Sequence, residues 1–438
     1  MRRFSGFSQK RCAAQNLKSP ILQERTGSGN YMGQKEGKGE SLNVLMFGWE
    51  FPPYSSGGLG TACYGLTKGL SSKEIGVTFV MPGSHNSENS GNLRILTTGS
   101  MKTIKVKSLI KPYLSSLEYL ARNKKRKSGI YGSTLFEEVS RFAEIAKDIA
   151  KKEEFDVIHA HDWMTFRAGI NAKKVSGKPL VVHVHATDFD RTGGNPNQGV
   201  YKIEKAGMHY ADKIISVSNY TKSIITKNYG IPPEKVDVVY NAIFASDNVP
   251  EKSRQPQKTV LFLGRVTLQK GPDYFVYASK KVLELEPNTR FIIAGSGDML
   301  PFVIEKSAEL GIADKISFTG FLEGDEVNRM YAMSDLYVMP SVSEPFGIAP
   351  LEAMNRNTPV IISKQSGVSE VVKHCLKVDF WDVNSLASKI VSVLRHRELQ
   401  DSLAENGFNE VKKFSWDKQA EKCMTIYKEL VNNKKAYI

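Results

Sequence analysis

Two basic residues stand close together in a short segment of the second half of the chain. Arg265 and Lys270 lie in residues 264–271, which begin and end with glycine and follow an apolar run. An arginine binds phosphate oxygens through two parallel hydrogen bonds, and a lysine adds a compact positive charge. The pair is therefore suited to neutralising a diphosphate, although a solvated basic loop would show the same residues.

Two carboxylates follow further along the chain. Glu344 and Glu352 are separated by seven residues, Gly347 lies between them, and a helix is expected to begin near Ile348. Unpaired backbone amides at the start of a helix favour phosphate, whereas a carboxylate suits the hydroxyls of a sugar or a ribose. The segment is therefore a candidate ligand site, with two ordinary helix-capping acids as the alternative.

A glycine-rich loop marks the first half of the chain. Gly57 and Gly58 lie within residues 52–60, between a predicted strand and a predicted helix. Glycine lets backbone amides come close to a ligand, and the start of a helix favours an anion. The segment lacks both the G-x-G-x-x-G pattern and the Gly-Lys-Ser/Thr ending of a P-loop, so the usual dinucleotide and P-loop interpretations fail.

Histidines alternate along two predicted strands, at His159 and His161 and again at His183 and His185. Because residues i and i+2 share one face of a strand, two such pairs can in principle hold a metal ion. Residues 188–190 likewise resemble a metal-binding Asp-x-Asp motif, but its expected partners are missing. We predict no metal site at the histidines, and we interpret the Asp-x-Asp segment as a loop.

Short apolar runs separated by helix-length segments fill the chain from residue 43 onward. Runs that are continuously apolar indicate parallel strands covered on both faces. A polar segment interrupts the series, which then begins again. The pattern predicts an α/β protein of two Rossmann-like doubly wound domains facing across a cleft, with ligands at the carboxyl ends of the strands. We place these domains at 43–250 and 256–414, followed by a C-terminal helix at 415–438.

Residues 1–42 are expected to be a disordered leader. Residues 1–40 hold eight Lys/Arg against three acidic residues, without the apolar core of a signal peptide. A start codon upstream of a native start near Met32 would give the same segment, and an organellar presequence is the further alternative.

Composition limits the classes of partner. The formal net charge of +14 suits anionic ligands. No apolar run approaches the roughly 18 residues that a membrane-spanning helix needs. The four cysteines show no C-x-x-C spacing, which favours a reducing compartment and predicts a cytoplasmic protein. The basic run 122–127 contains no aromatic residue, so nucleic acid is not expected as a partner and peripheral membrane contact is not favoured.

Taken together, these segments resemble a known family. Residues 264–271 (GRVTLQKG), 294–297 (AGSG) and 343–352 (SEPFGIAPLE) are similar to the donor-binding half of the retaining, GT-B type glycosyltransferase family 4. The two glutamates with seven residues between them are the most specific mark of that group. Residues 47–60 (FGWEFPPYSSGGLG) and 157–163 (VIHAHDW) resemble the glycogen and starch synthase-like members.

The resemblance implies roles at the matching positions. Arg265 and Lys270 would bind the donor diphosphate and stabilise the departing nucleoside diphosphate. Glu352 would hold the ribose hydroxyls, and Glu344 would contact the hydroxyls of the donor sugar. His185 matches the active-site histidine that touches the sugar beside the reacting centre.

The remaining implied contacts lie on glycines and on the acceptor side. Gly57 and Gly58 would face the phosphates or the sugar, and Gly347 and Ile348 would belong to the donor site. Asp162 matches an acceptor-side carboxylate of the synthases. No metal and no cofactor are expected, because the nucleotide sugar, UDP- or ADP-glucose, is itself the substrate.

Two positions depart from the ADP-glucose synthases. By resemblance, those enzymes carry a lysine at the position of Ser55. They usually carry a tyrosine at the position of Glu352. Both differences favour UDP-sugars or a broader family 4 donor and leave the base open.

We therefore expect a retaining, metal-independent transferase that moves a sugar, glucose by resemblance, from a nucleoside diphosphate to an α-glucan. Transfer to a lipid-linked or cell-surface glycan is the alternative among enzymes. A non-catalytic protein that binds nucleotide sugars or polysaccharides is the alternative of another class.

Overall fold

The computed structural model describes residues 42–51, 57–83, 93–98, 101–108, 134–246 and 257–435. Ser55, the basic run 122–127 and all but the last residue of the predicted leader 1–42 lie outside these described residues. Within the described part, the chain builds two β-sheets with helices packed against them.

The first sheet contains eight strands within the described residues, in the order β3-β4-β2-β1-β5-β6-β7-β8. They are β1 Asn43–Phe47, β2 Gly76–Gly83, β3 Leu93–Thr98, β4 Met101–Lys107, β5 Val157–His161, β6 Leu180–Val184, β7 Lys213–Ser216 and β8 Val236–Val238. Only β3 pairs antiparallel among the strands described. Every residue of β5 and β6 is buried, because helices cover both faces of the sheet.

The helices beside this sheet follow the expected alternation. They are α1 Gly58–Ser71, α2 Leu135–Lys152, α3 Trp163–Ser176, α4 Asp188–Arg191, α5 Gln198–Tyr210 and α6 Asn219–Tyr229. The loop predicted at 188–190 is wrong, since α4 is a full helical turn. Thr187 caps it, because its side chain and backbone amide pair with the Asp190 carboxylate in a capping box.

The second sheet contains six parallel strands in the described residues, in the order β11-β10-β9-β12-β13-β14. They are β9 Lys258–Leu263, β10 Thr289–Ala294, β11 Ile316–Gly320, β12 Leu336–Met339, β13 Val360–Ser363 and β14 Leu376–Val378. The later helices are α7 Pro272–Leu285, α8 Leu300–Glu309, α9 Asp325–Met333, α10 Ala349–Met354, α11 Val383–Arg395, α12 Arg397–Val411 and α13 Trp416–Lys435. The prediction of two Rossmann-like α/β domains is confirmed.

The final helix, α13, packs against α1 of the first domain. Gly65 and Gly69 on α1 make this approach possible: a Cβ at Gly65 would lie 2.1 Å from the Trp416 ring, and one at Gly69 would lie 2.7 Å from the Trp416 carbonyl oxygen. The last described helix therefore packs on the first domain rather than on the second. None of the described helices has the length and apolar character that crossing a membrane requires.

Candidate active site

A cavity of about 1240 Å³ opens between the carboxyl ends of the two sheets. The first domain contributes the start of α1, including Gly57 and Gly58, and the loops that carry Asp162 and His185. The second domain contributes the loops after β9, β10 and β12 and the start of α10. All residues predicted for the site line this cavity: Gly57, Gly58, Asp162, His185, Arg265, Lys270, Glu344, Gly347, Ile348 and Glu352.

Arg265 and Lys270 are held by the short loop that follows β9. The Arg265 guanidinium donates to the Gln269 side-chain oxygen at 2.9 Å. Gly271 ends the turn with φ of 63°, and a Cβ there would lie 2.3 Å from the Pro340 carbonyl oxygen, so glycine is required on both counts. The turn keeps both cations at the cleft.

Lys270 and Glu344 form an ion pair inside the cavity. The Lys270 ammonium donates to the Glu344 carboxylate, which also accepts a hydrogen bond from the Ser341 hydroxyl at 3.3 Å. Gly347 follows with φ of 100°, a conformation that side chains disfavour. The cation and the carboxylate that were assigned to different parts of the donor therefore bind each other directly.

Glu352 lies on α10 and is half-buried where it lines the cavity. It accepts a hydrogen bond from the Tyr331 hydroxyl at 3.2 Å. Burial raises its pKa, and the Tyr331 hydrogen bond and the nearby Arg356 lower it by less. A carboxyl group in this setting is suited to accept hydrogen bonds from a pair of hydroxyls that enters the cavity.

Asp162 fixes the loop that carries His185. It has φ of 57°, which is uncommon outside glycine, and its carboxylate accepts the backbone amides of His185 at 2.7 Å and Ala186 at 3.3 Å. The His185 ring contacts His161 through nitrogens 2.9 Å apart. Burial, with His161 and Arg191, holds the pKa of His185 well below its ordinary value, so its imidazole is neutral at pH 7.

Buried hydrogen bonds connect the two domains beside the cavity. Ser343 of the second domain donates to the Asp190 carboxylate of the first at 2.6 Å, and its hydroxyl lies 3.0 Å from that of Tyr220. Ser218 donates to the Pro345 carbonyl at 2.5 Å. The segment that carries Glu344 is thus attached to both domains.

Comparison with known proteins decides the family. The model "Glycosyltransferase Family 4" matches residues 56–246, and "Glycosyl transferases group 1" matches residues 245–410. An uncharacterized glycosyltransferase of Methanocaldococcus jannaschii is 30% identical over 411 residues, covering 88% of this chain and 98% of that protein. The chain belongs to glycosyltransferase family 4.

Another relative and a solved structure are similar to most of this glycosyltransferase in sequence and in fold, respectively. The glycogen synthase of Mycobacterium tuberculosis is 25% identical over 370 residues, covering 81% of this chain and 86% of that protein. The solved sucrose-phosphate synthase of Thermosynechococcus elongatus superposes with a TM-score of 0.73 at 20% identity, covering 90% of this chain and 100% of that one. The GT-B architecture of the glycosyltransferase is therefore confirmed, as is its assignment as a transferase enzyme.

Two charged residues of this glycosyltransferase were missed in the sequence. Arg191 lines the cavity and pairs with Asp162 at 3.4 Å and with Glu204 at 3.2 Å. Glu50 accepts the Gly60 backbone amide at 2.6 Å in the first turn of α1, and burial raises its pKa to about 7. Glu50 lies in the quoted segment 47–60, but no local pattern indicated that the fold would bury it.

Four histidines, two on β5 and two on or just after β6, meet on one face of the first sheet. The rings of His159 and His161 stack at 4.3 Å between centroids, and those of His183 and His185 stack at 4.2 Å. The parallel register of β5 and β6 sets His161 opposite His183. His159 Nδ1 also lies 2.6 Å from the Tyr427 hydroxyl, so α13 contacts the cluster from its far side.

Proposed function

We propose that this glycosyltransferase moves glucose from a nucleoside diphosphate to an α-glucan and keeps the anomeric configuration. The observation that carries the proposal is the convergence of Arg265, Lys270, Glu344 and Glu352 on one cavity, with His185 contributed by the opposite domain. Two cations, two carboxyl groups and a neutral imidazole match the diphosphate, the hydroxyls and the sugar of such a donor.

The ion pair between Lys270 and Glu344 suits an exchange of partners when the donor binds. A diphosphate brings negative charge to Arg265 and Lys270, so the ammonium can transfer its interaction from the carboxylate to a phosphate oxygen. Glu344 is then free to accept hydrogen bonds from the sugar, while Glu352 accepts those of the ribose. Each group keeps a partner with and without the donor.

The same cations support the chemical step. Negative charge grows on the diphosphate as the glycosidic bond breaks, and Arg265 and Lys270 are already in place to stabilise it. The leaving phosphate accepts the proton of the attacking hydroxyl on the same face of the sugar, which retains the configuration. Because these cations supply the charge stabilisation, we expect chelation by EDTA to leave turnover unchanged.

Support for an α-glucan acceptor comes from the likeness to glycogen synthase, which runs through 81% of the chain. Asp162 lines the cavity beside His185, where an acceptor hydroxyl would enter. Trp163, the aromatic residue next to Asp162, is only 8% exposed, and its ring packs against that of Phe136 with centroids 6.0 Å apart, so it offers little surface for stacking on a glucose ring. Within residues 157–163, we therefore assign direct contact with the acceptor to Asp162.

The test offers glycogen and malto-oligosaccharides to the purified full chain with UDP-, ADP- and GDP-glucose. We expect incorporation from one of the first two donors and an α-linkage in the product, measured by the NMR coupling of the new anomeric proton. Parallel reactions contain lipid-linked and cell-surface glycan acceptors. Transfer to those acceptors alone would overturn the glucan assignment and leave the transferase assignment intact.

A further inference from the structure

Three side chains that bind soft metals meet at the floor of the cleft. Cys63 projects from α1, His161 ends β5, and His185 follows β6. The Cys63 sulfur and one ring nitrogen of each histidine all lie within 4.8 Å of one another. Cys63 and His161 are fully buried, whereas His185 lines the cavity, so the group is reachable from the cleft.

The ring nitrogens of this group lack enough partners. His161 Nδ1 and His185 Nε2 are 2.9 Å apart and share a single hydrogen bond. The opposite nitrogens, His161 Nε2 and His185 Nδ1, are buried and have no hydrogen-bond partner within the described residues. The two rings are therefore joined by a single hydrogen bond, which a coordinated cation would replace.

Against the expectation from the sequence, we propose that Cys63, His161 and His185 form a binding site for a thiophilic divalent cation such as Zn²⁺. Thiolate and imidazole are the ligands that zinc prefers, and three protein ligands leave a fourth position open to the cleft. On binding, Cys63 loses its thiol proton to solvent, and the proton between the two histidines moves to the opposite nitrogen of the ring that carried it, so both bind the cation as neutral imidazoles. Two nitrogens bound to tetrahedral zinc are about 3.3 Å apart, so the rings need to separate only slightly from their present contact.

Two carboxyl groups, those of Glu50 and Asp162, act electrostatically on Cys63. Burial first, and then Glu50 and Asp162, raise the pKa of the Cys63 thiol well above its ordinary value. The same two carboxylates would attract a dication, which offsets the cost of forming a buried thiolate. The positive charge of Arg191 contributes to the lowered pKa of His185, and it would also oppose the binding of a cation.

Occupation of the site has a consequence that rests on the proposed function. His185 is the proposed contact with the donor sugar, and coordination would hold its ring on the cation, so that it could no longer adjust to the sugar. The cation therefore inhibits transfer, while the transfer reaction itself needs no metal. The cation would therefore act as an inhibitor and would take no part in the chemical step.

Cobalt(II) provides the binding test, since tetrahedral thiolate-bound cobalt has visible bands and a sulfur-to-metal charge-transfer band. We expect the reduced full-length protein to bind one equivalent with those bands. Cys63→Ala and His185→Gln should each lose them. Cys375→Ala, which removes another buried free cysteine, is the matched control and should retain them.

Absence of the bands, or their survival in both Cys63→Ala and His185→Gln, would overturn the site. If Cys63→Ala fails to fold, His185→Gln at the cavity wall decides the result. In the activity assay, zinc should suppress donor turnover of the native protein at least tenfold more than that of Cys63→Ala. Cobalt binding without inhibition would retain the site and refute its link to His185, and failure of the glucan assignment leaves the spectroscopic result unaffected.

Discussion

The Lys270 ammonium donates to the carboxylate of Glu344, a residue 74 positions further along the chain. The two side chains come from the loops after β9 and β12, which are neighbouring parallel strands. Their carboxyl ends therefore meet at one edge of the sheet. The two charged groups that we propose for donor binding are therefore paired with each other.

Removing either cation should affect the chemical step. We expect Lys270→Ala and Arg265→Ala each to lower kcat by about 10²–10³-fold, the scale for losing one charge-stabilising group from a preorganised site. Lys306→Ala, which removes a lysine that pairs with Glu309 on α8, is the control and should leave kcat unchanged. A roughly tenfold rise in KM at constant kcat would show that the two cations contribute only uniform binding.

Asp162 should distinguish transfer from hydrolysis. If it contacts the acceptor, Asp162→Ala lowers transfer to glucan more than it lowers hydrolysis of the donor, because hydrolysis uses no glucan. Both rates come from one assay that counts released nucleotide and labelled glucan. An equal fall in the two rates would restrict Asp162 to positioning His185 through the backbone hydrogen bonds.

The contact between Ser343 and Asp190 should stabilise the fold. Ser343→Ala leaves a buried carboxylate without this 2.6 Å hydrogen bond, at a cost of about 1–3 kcal/mol. Urea unfolding measures the difference, with Ser388→Ala at an exposed position of α11 as the control. A change as small as that of the control would mean that Asp190 is satisfied by Thr187 alone.

Glu50 should make stability depend on pH. Its folded pKa of about 7 lies above the ordinary value of 4.5 for a glutamate, so the folded state binds the proton more tightly than the unfolded chain. The resulting stabilisation is complete below pH 4.5 and is lost as the pH rises through 7.

Glu50→Gln removes this titration and keeps an oxygen that can accept the Gly60 amide. Relative to the native protein, the variant should gain up to about 3 kcal/mol between pH 5 and pH 8. Urea midpoints at the two pH values measure the gain. A difference that does not change with pH would contradict the shifted pKa.

Local patterns determined the α/β architecture. Continuous apolar runs such as Val157–His161 specify strands buried on both faces, because only a strand with helices on either side buries every residue. The carboxyl-end rule for parallel strands then placed Arg265 and Glu344 in one cleft, since it depends only on strand direction. The helix that carries Glu352 also follows from local signals.

Tertiary structure decided which side chains touch. The pairing of Lys270 with Glu344 and the burial of Glu50 depend on loop conformations that no periodicity encodes. The segment 188–190, predicted as a loop, is helical because a capping box stabilises the start of α4. This helix places Arg191 beside Asp162.

The four clustered histidines show most clearly which features the sequence determines and which the tertiary structure determines. Their alternation along β5 and β6 assigns each pair to one face, which the sequence alone determines. That both pairs share the same face, with His161 opposite His183, requires the register of two strands joined by α3. The approach of Cys63 additionally requires α1 to lie over that face. These relations join residues far apart in the chain, and packing of the complete domain fixes them because each element buries its apolar surface against the others.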